Sequence, residues 1–163
     1  MQPMVGCLGV GCGSQAVISG QELRSDAMTQ NSMRRLHFAV GILTVIAFIA
    51  SGAYMMFVAN VNALPPGPHL LYISRHIYML GPALVNLLLS VYVRPVAHPR
   101  VPRLQWAGTI FLVIASILLV LAFLLEPMAN RGRTVVSALG IFTLWAGTIL
   151  HVIAPRLGRM LRT

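Results

Sequence analysis

"LQWAGTIFLVIASILLVLAFLL", residues 104–125, runs for 22 residues without a single charge. About 20 helical residues cross the hydrocarbon core of a bilayer. Backbone in lipid must satisfy its own hydrogen bonds, which a helix does and an open strand does not. Three more runs of this kind occur, at 36–58, 70–93 and 135–154, and among all four the only charge is Arg75. The chain is 57% hydrophobic and 9% charged, against roughly a quarter charged in a soluble domain, so it has too little polar surface to cover itself in water. The sequence predicts an all-α integral membrane protein with helices over about 36–58, 70–93, 104–125 and 135–154, forming a membrane domain over 34–156.

The formal charge of +9 comes from twelve basic residues, all Arg, against three acids. Their placement argues against nucleic acid and for the lipid bilayer as partner, since most flank the apolar runs. Arg34 and Arg35 precede the first run, Arg94, Arg100 and Arg103 fill the second link, and Arg156, Arg159 and Arg162 follow the fourth. The first link, "ANVNALPPGPH" (59–69), has no charge, and the third sets Arg131 and Arg133 against Glu126. By the positive-inside rule the expectation is a bacterial inner-membrane protein with both termini and the middle link cytoplasmic. Arginines at the interface also favour anionic headgroups.

Residues 1–33 scatter Gly, Ser and Gln without helical period and lack the basic start and apolar core of a signal peptide. They read as a disordered cytoplasmic tail, with Met28 and Met33 as alternative starts. Cys7 and Cys12 have no companion ligands and are assigned no chemistry. Residues 157–163 read as a basic cytoplasmic tail. The links are short and rich in proline, "LPPGPH" (64–69) reading as a stiff outer turn, and short links make neighbouring helices antiparallel, an up-down-up-down bundle. The pentamer "WAGTI" occurs at Trp106–Ile110 and Trp145–Ile149. The copies are expected on antiparallel helices at different depths, a coincidence of composition.

Membrane helices pack through small residues, and polar groups in a span face the bundle interior. Stepping by three and four gives His37, Gly41, Thr44, Phe48, Ser51 and Met55 on the first helix and Arg75, Met79, Pro82, Asn86 and Ser90 on the second. On the fourth the stripe is Ser137, Gly140, Leu144, Gly147 and His151. The third helix is nearly featureless and is expected to be the most lipid-exposed. His37 and His151 lie at the inner ends of the first and fourth helices, at matched depth; His76 lies in the outer third of the second. His69 and His98 read as solvated loop residues. Two inward histidines at matched depth are what a bis-imidazole haem needs, with an axial nitrogen on each face of the iron. Gly41 and Gly147, one turn further in, would let a flat macrocycle approach the backbone, and arginines would pair with its propionates. The alternative is that each imidazole hydrogen-bonds in the headgroup layer.

"RRLHFAVGILTVIAFIASGAYM" (34–55) resembles the first helix of prokaryotic b-type cytochromes, which read R-x-x-H, a long apolar run, then a small residue, Gly and an aromatic. That family includes the di-haem four-helix quinol-oxidising cytochromes and the membrane subunits of formate dehydrogenases. "SRHIYMLG" (74–81) resembles their second-helix opening and "ILHVIAP" (149–155) the His of their last helix. The resemblance implies haem b ligated by His37 and His151 as metal ligands, with His76 on one side of an outer haem. It also implies a quinone and a membrane or soluble redox partner. Where the family has a fourth ligand His, Val136 and Ser137 stand here, so an outer haem would need Met55 or Met56.

For Arg75 three readings compete: binding a propionate or quinone head, lining a transport path with Asn86 and the Pro82 kink, or snorkelling to the outer headgroups. With acids only at Glu22, Asp26 and Glu126, no carboxylate lies within a span to serve as a base, and Glu126 is expected to stay in water. The function read from the sequence is a small b-type haem electron carrier between a quinol or partner reductase and an acceptor. The alternatives are a cofactor-free accessory or assembly protein, with a homo-oligomer conceivable, and a small transporter using Arg75 and Asn86.

Overall fold

The computed structural model describes residues 11–92, 101–127 and 134–160. Helices α1 (Gly11–Phe57), α2 (Pro66–Tyr92), α3 (Val101–Leu125) and α4 (Val135–Met160) carry nearly all of them, with a 3₁₀ turn at Val61–Ala63. The register of the contacts makes this an up-down-up-down bundle. Gly41 packs on Leu87 and Gly52 on His76, so α1 and α2 are antiparallel; Gly147 packs on Gly108 and Gly140 on Leu119, so α3 and α4 are too. Asn86 reaches Ser116 and Arg75 reaches Glu126, which sets α2 against α3 in the same sense.

Asn31–Phe57, Arg103–Leu125 and Val135–Leu157 are long and apolar enough to cross a membrane. At 27 residues, α2 is about 40 Å long at the usual helical rise, but its polar residues lower its hydropathy. Those residues are turned inward: its buried side chains are Tyr72, Arg75, Met79, Pro82, Ala83, Asn86 and Ser90, one stripe at steps of three and four. Its opposite face leaves Leu70, Ile77, Leu84 and Leu88 exposed. The expected stripes of α1 and α4 are also the inward ones, with His37, Thr44 and Ser51, and Ser137 and His151, buried. Large apolar side chains cover the outside, Phe57 at 80% and Phe142 at 74% exposure among them, as suits contact with a bilayer.

Several boundaries differ from the sequence reading. The first helix begins at Gly11, so the expected disordered tail is corrected from residue 11 onward; residues 1–10 lie outside the described part. Residues 11–33 contain no proline, and adding residues to an existing helix avoids the cost of nucleating one. Met33, one residue before the expected membrane domain, is only 3% exposed. The prolines of "LPPGPH" do not form the turn: Pro66 and Pro68 open α2, where a missing N–H goes unmissed, and His69 lies in that first turn rather than in a loop. The reversal is made instead by Asn60, left-handed at φ 43°, a conformation that Asn tolerates. α4 continues through Pro155 to Met160, so 157–160 are helical and 161–163 lie outside the described part.

The largest correction concerns α3. Expected to be the most lipid-exposed, it is the most buried of the three apolar spans. Gly108, Thr109, Leu112, Ala115, Ser116, Leu119, Ala122 and Phe123 are buried, and it meets α1, α2 and α4. Its evenly high hydropathy conceals a seven-residue repeat of small residues (Gly108, Ala115, Ala122) along one face, where a neighbouring helix can approach closely. The two "WAGTI" copies are part of this. A Cβ added to Gly108 would lie 3.1 Å from the Gly147 carbonyl oxygen, and one added to Gly147 would lie 3.0 Å from that of Gly108. The copies face one another at the same depth, contrary to expectation, and bring the α3 and α4 backbones close together.

Near the Arg75 end, Val61, Tyr72, Met79, Leu119 and Phe123 form an apolar cluster, with Tyr72 and Phe123 edge to face at 5.6 Å between centroids. Gly147→Leu should push α3 from α4 and cost about 1–3 kcal/mol as overpacking. Gly67→Ala, with nothing within 4 Å of the added carbon, should be close to neutral. Thermal unfolding of the two variants in detergent checks the contrast.

Candidate functional site

Two buried polar centres lie at opposite ends of the bundle. At the first, all four helices contribute side chains: His37 from α1, Asn86 from α2, Thr109 and Ser116 from α3 and His151 from α4. His37, Asn86 and Thr109 are fully buried and His151 is 7% exposed. Asn86 Nδ2 donates to the Pro82 carbonyl at 2.8 Å and to Ser116 Oγ at 3.3 Å. Only the amide nitrogen can donate to a carbonyl, so Asn86 Oδ1 faces His37 Nδ1, 2.7 Å away, and the His37 proton is assigned to Nδ1. In the neutral ring Nε2 is an acceptor, and the single Thr109 hydroxyl proton is shared between it, 3.1 Å away, and the Gln105 carbonyl of the same helix, 3.0 Å away. His151 Nε2 lies 3.3 Å from the Thr109 oxygen and can donate to it. The imidazoles meet edge to face with centroids 5.2 Å apart.

His37 and His151 are thus brought together as their matched depth implied, by a third residue the sequence reading did not select. As a donor set, two imidazoles suit haem iron. As a space, the packing does not fit haem. Metal–imidazole bonds of about 2 Å on each side place a flat porphyrin between the rings, and here that gap holds the Thr109 hydroxyl. Gly41 and Gly147 are not a cradle for a macrocycle either: an added Cβ would meet Leu87 at 2.8 Å and Leu112 at 2.9 Å. They are helix-packing positions. Among the described residues no group of three His, Cys, Asp or Glu could hold a metal ion.

At the other end Arg75 and Glu126 form an ion pair, with side chains 5% and 3% exposed. Arg75 Nη1 donates to Ser74 Oγ at 3.0 Å, its guanidinium lies 5.5 Å from the Tyr78 ring centroid, and Nη2 is buried without a partner. Glu126 Oε1 accepts the Ser137 N–H at 2.8 Å, an orphan donor in the first turn of α4. One carboxylate therefore joins α2, the end of α3 and the start of α4. Both expectations for this pair are corrected: Arg75 does not snorkel and Glu126 does not stay in water. Burial pushes the Glu126 carboxyl up, but the Ser137 N–H and the Arg75 guanidinium outweigh it and hold the group below its ordinary value.

His76 faces α1. Its Nδ1 lies 2.9 Å from Ser51 Oγ and its ring stacks on Phe48 at 4.1 Å, a geometry that secures the helix pair. Met56 is 72% exposed and turned away, while Met55 packs on the aromatic cluster; neither pairs with His76. His98 lies outside the described residues. Thr109 and Glu126 were missed as partners. The signal for Glu126 was arithmetic, as the only acid outside the first 33 residues. Thr109 gave none, for hydroxyls in spans usually bond their own helix. Against family models, curated proteins and solved structures, the chain has no match.

Removing one partner of a buried ion pair leaves the other charge uncompensated, at about 3–5 kcal/mol. Glu126→Gln and Arg75→Met should each lose stability on that scale, and the Arg75→Met/Glu126→Leu double variant should recover most of it. A carboxyl held low in the fold stabilises above its unfolded value, and that contribution disappears as pH falls through its folded one. Unfolding midpoints should therefore drop on acidification, less so in Glu126→Gln. Asn86→Leu strands the His37 Nδ1–H and should cost about 1–3 kcal/mol, read from thermal unfolding in detergent.

Proposed function

We propose that the protein is a cofactor-free accessory or assembly component of the bacterial inner membrane, with both termini cytoplasmic, acting through the outer faces of its helices. One observation carries this reading: the buried histidines, Asn86 and the Arg75–Glu126 pair each have hydrogen-bond partners inside the bundle. His37 is held by Asn86 and Thr109, His151 by Thr109, His76 by Ser51, and Arg75 by Glu126. A transport path along Arg75 and Asn86 finds the Arg75 Nε and the Asn86 amide engaged in the same way. The orientation follows from the arginines: Arg34, Arg35, Arg103 and Arg156 stand at the His37 end, and the uncharged first link at the other.

A second reading, a b-type haem electron carrier working between a quinol or partner reductase and an acceptor, is favoured by the convergence of two imidazole Nε2 atoms on one point. It requires the α1–α2 and α3–α4 hairpins to part and Thr109 to turn away. A reduced-minus-oxidised absorption spectrum of the purified protein, expressed with haem synthesis supported, decides between them. The accessory reading expects no α-band, with His37→Ala and His151→Ala lowering thermal stability. A sharp α-band, lost in both variants, would overturn it in favour of the haem protein.

A further inference from the structure

At the His37 end, outside the buried network, a cavity of about 490 Å³ opens between α1 and α2, lined by Asn31, Arg34, Arg35, Phe38, Ser90 and Val91. We propose that this cavity holds the headgroup phosphate of an anionic phospholipid from the adjoining leaflet. The inference rests on the protein being embedded in a bilayer and is independent of whether it binds haem.

Charge is the first argument. Two arginines line the cavity and no acidic residue does, and basic pockets between membrane helices suit anionic headgroups. Depth is the second: Arg34 and Arg35 immediately precede the apolar run of α1, the level at which headgroup phosphates lie. Preorganisation is the third. Arg34 Nε donates to the Ser90 carbonyl at 2.9 Å, which stands in the last turn of α2, where carbonyls lack helical partners. That bond fixes the guanidinium plane while its Nη groups remain to bind phosphate oxygens, a geometry arginine matches better than lysine. Phe38 and Val91, 56% and 65% exposed, continue the cavity as apolar surface where the glycerol and first acyl carbons would rest. A free phosphate ion has no use for that surface.

The test is native mass spectrometry of the full-length protein in detergent, titrated with an equimolar mixture of phosphatidylglycerol and phosphatidylcholine bearing the same acyl chains. We expect a preferential phosphatidylglycerol adduct. Arg34→Gln and Arg35→Gln should each weaken it about five-fold, the factor corresponding to ~1 kcal/mol per interfacial arginine. Arg156→Gln, at the same end but on α4, should leave it unchanged. Arg35→Gln keeps the Arg34–Ser90 bond, so it carries the test if Arg34→Gln does not fold. Equal binding of the two lipids by the wild-type protein, or an adduct undiminished in the cavity variants, would overturn the proposal. Displacement of phosphatidylglycerol by millimolar inorganic phosphate would assign the cavity to a soluble anion and overturn it as well.

Discussion

A polar group in the hydrocarbon interior has no water to fall back on, so each must find its partner within the protein or forfeit several kcal/mol. The chain running from Asn86 through His37 and Thr109 to His151 meets this constraint with one side chain from each helix. Because every member is needed by its neighbour, the chain fixes the rotation of all four helices about their axes. Apolar packing alone would not do so, since lipid is as good a neighbour for a Leu as another helix is.

The ion pair of Arg75 and Glu126 does the same at the opposite end, with the added task of terminating a helix. By accepting the Ser137 N–H, Glu126 ties the start of α4 to the end of α3. A buried ion pair gives little net stability over an apolar substitute, but its removal by halves is severe. Its structural meaning is therefore registration: it specifies which ends meet. Between the two polar centres lies a layer of Met79, Ala83, Leu112 and Leu119, all at or below 1% exposure, which separates them along the bundle.

Within this frame the two hairpins are unlike one another. α3 and α4 approach until the Gly108 and Gly147 backbones touch, while α1 and α2 interlock by Leu87 entering the space over Gly41. The hairpins join through polar side chains and aromatic rings, and a lipid-facing groove of about 410 Å³ remains between α1 and α3, lined almost wholly by apolar side chains such as Val40, Leu43 and Val113. The seam between hairpins is where the histidines meet.

What the sequence by itself determined is one-dimensional. Run length and the scarcity of charge marked the four apolar runs, and steps of three and four found the inward stripes of α1, α2 and α4, because those stripes contrast with apolar surroundings. The matched depth of His37 and His151 was legible for the same reason. α3 offered no contrast, and its burial came from small residues whose effect is steric and shows only when a neighbour arrives. Likewise the pairing of Arg75 with Glu126, 51 residues apart, the meeting of Gly108 with Gly147, and the role of Thr109 between two imidazoles were decided by the tertiary structure. Each depends on the relative rotation and height of two helices, and those are set by the joint satisfaction of buried groups, which no single helix carries in its own residues.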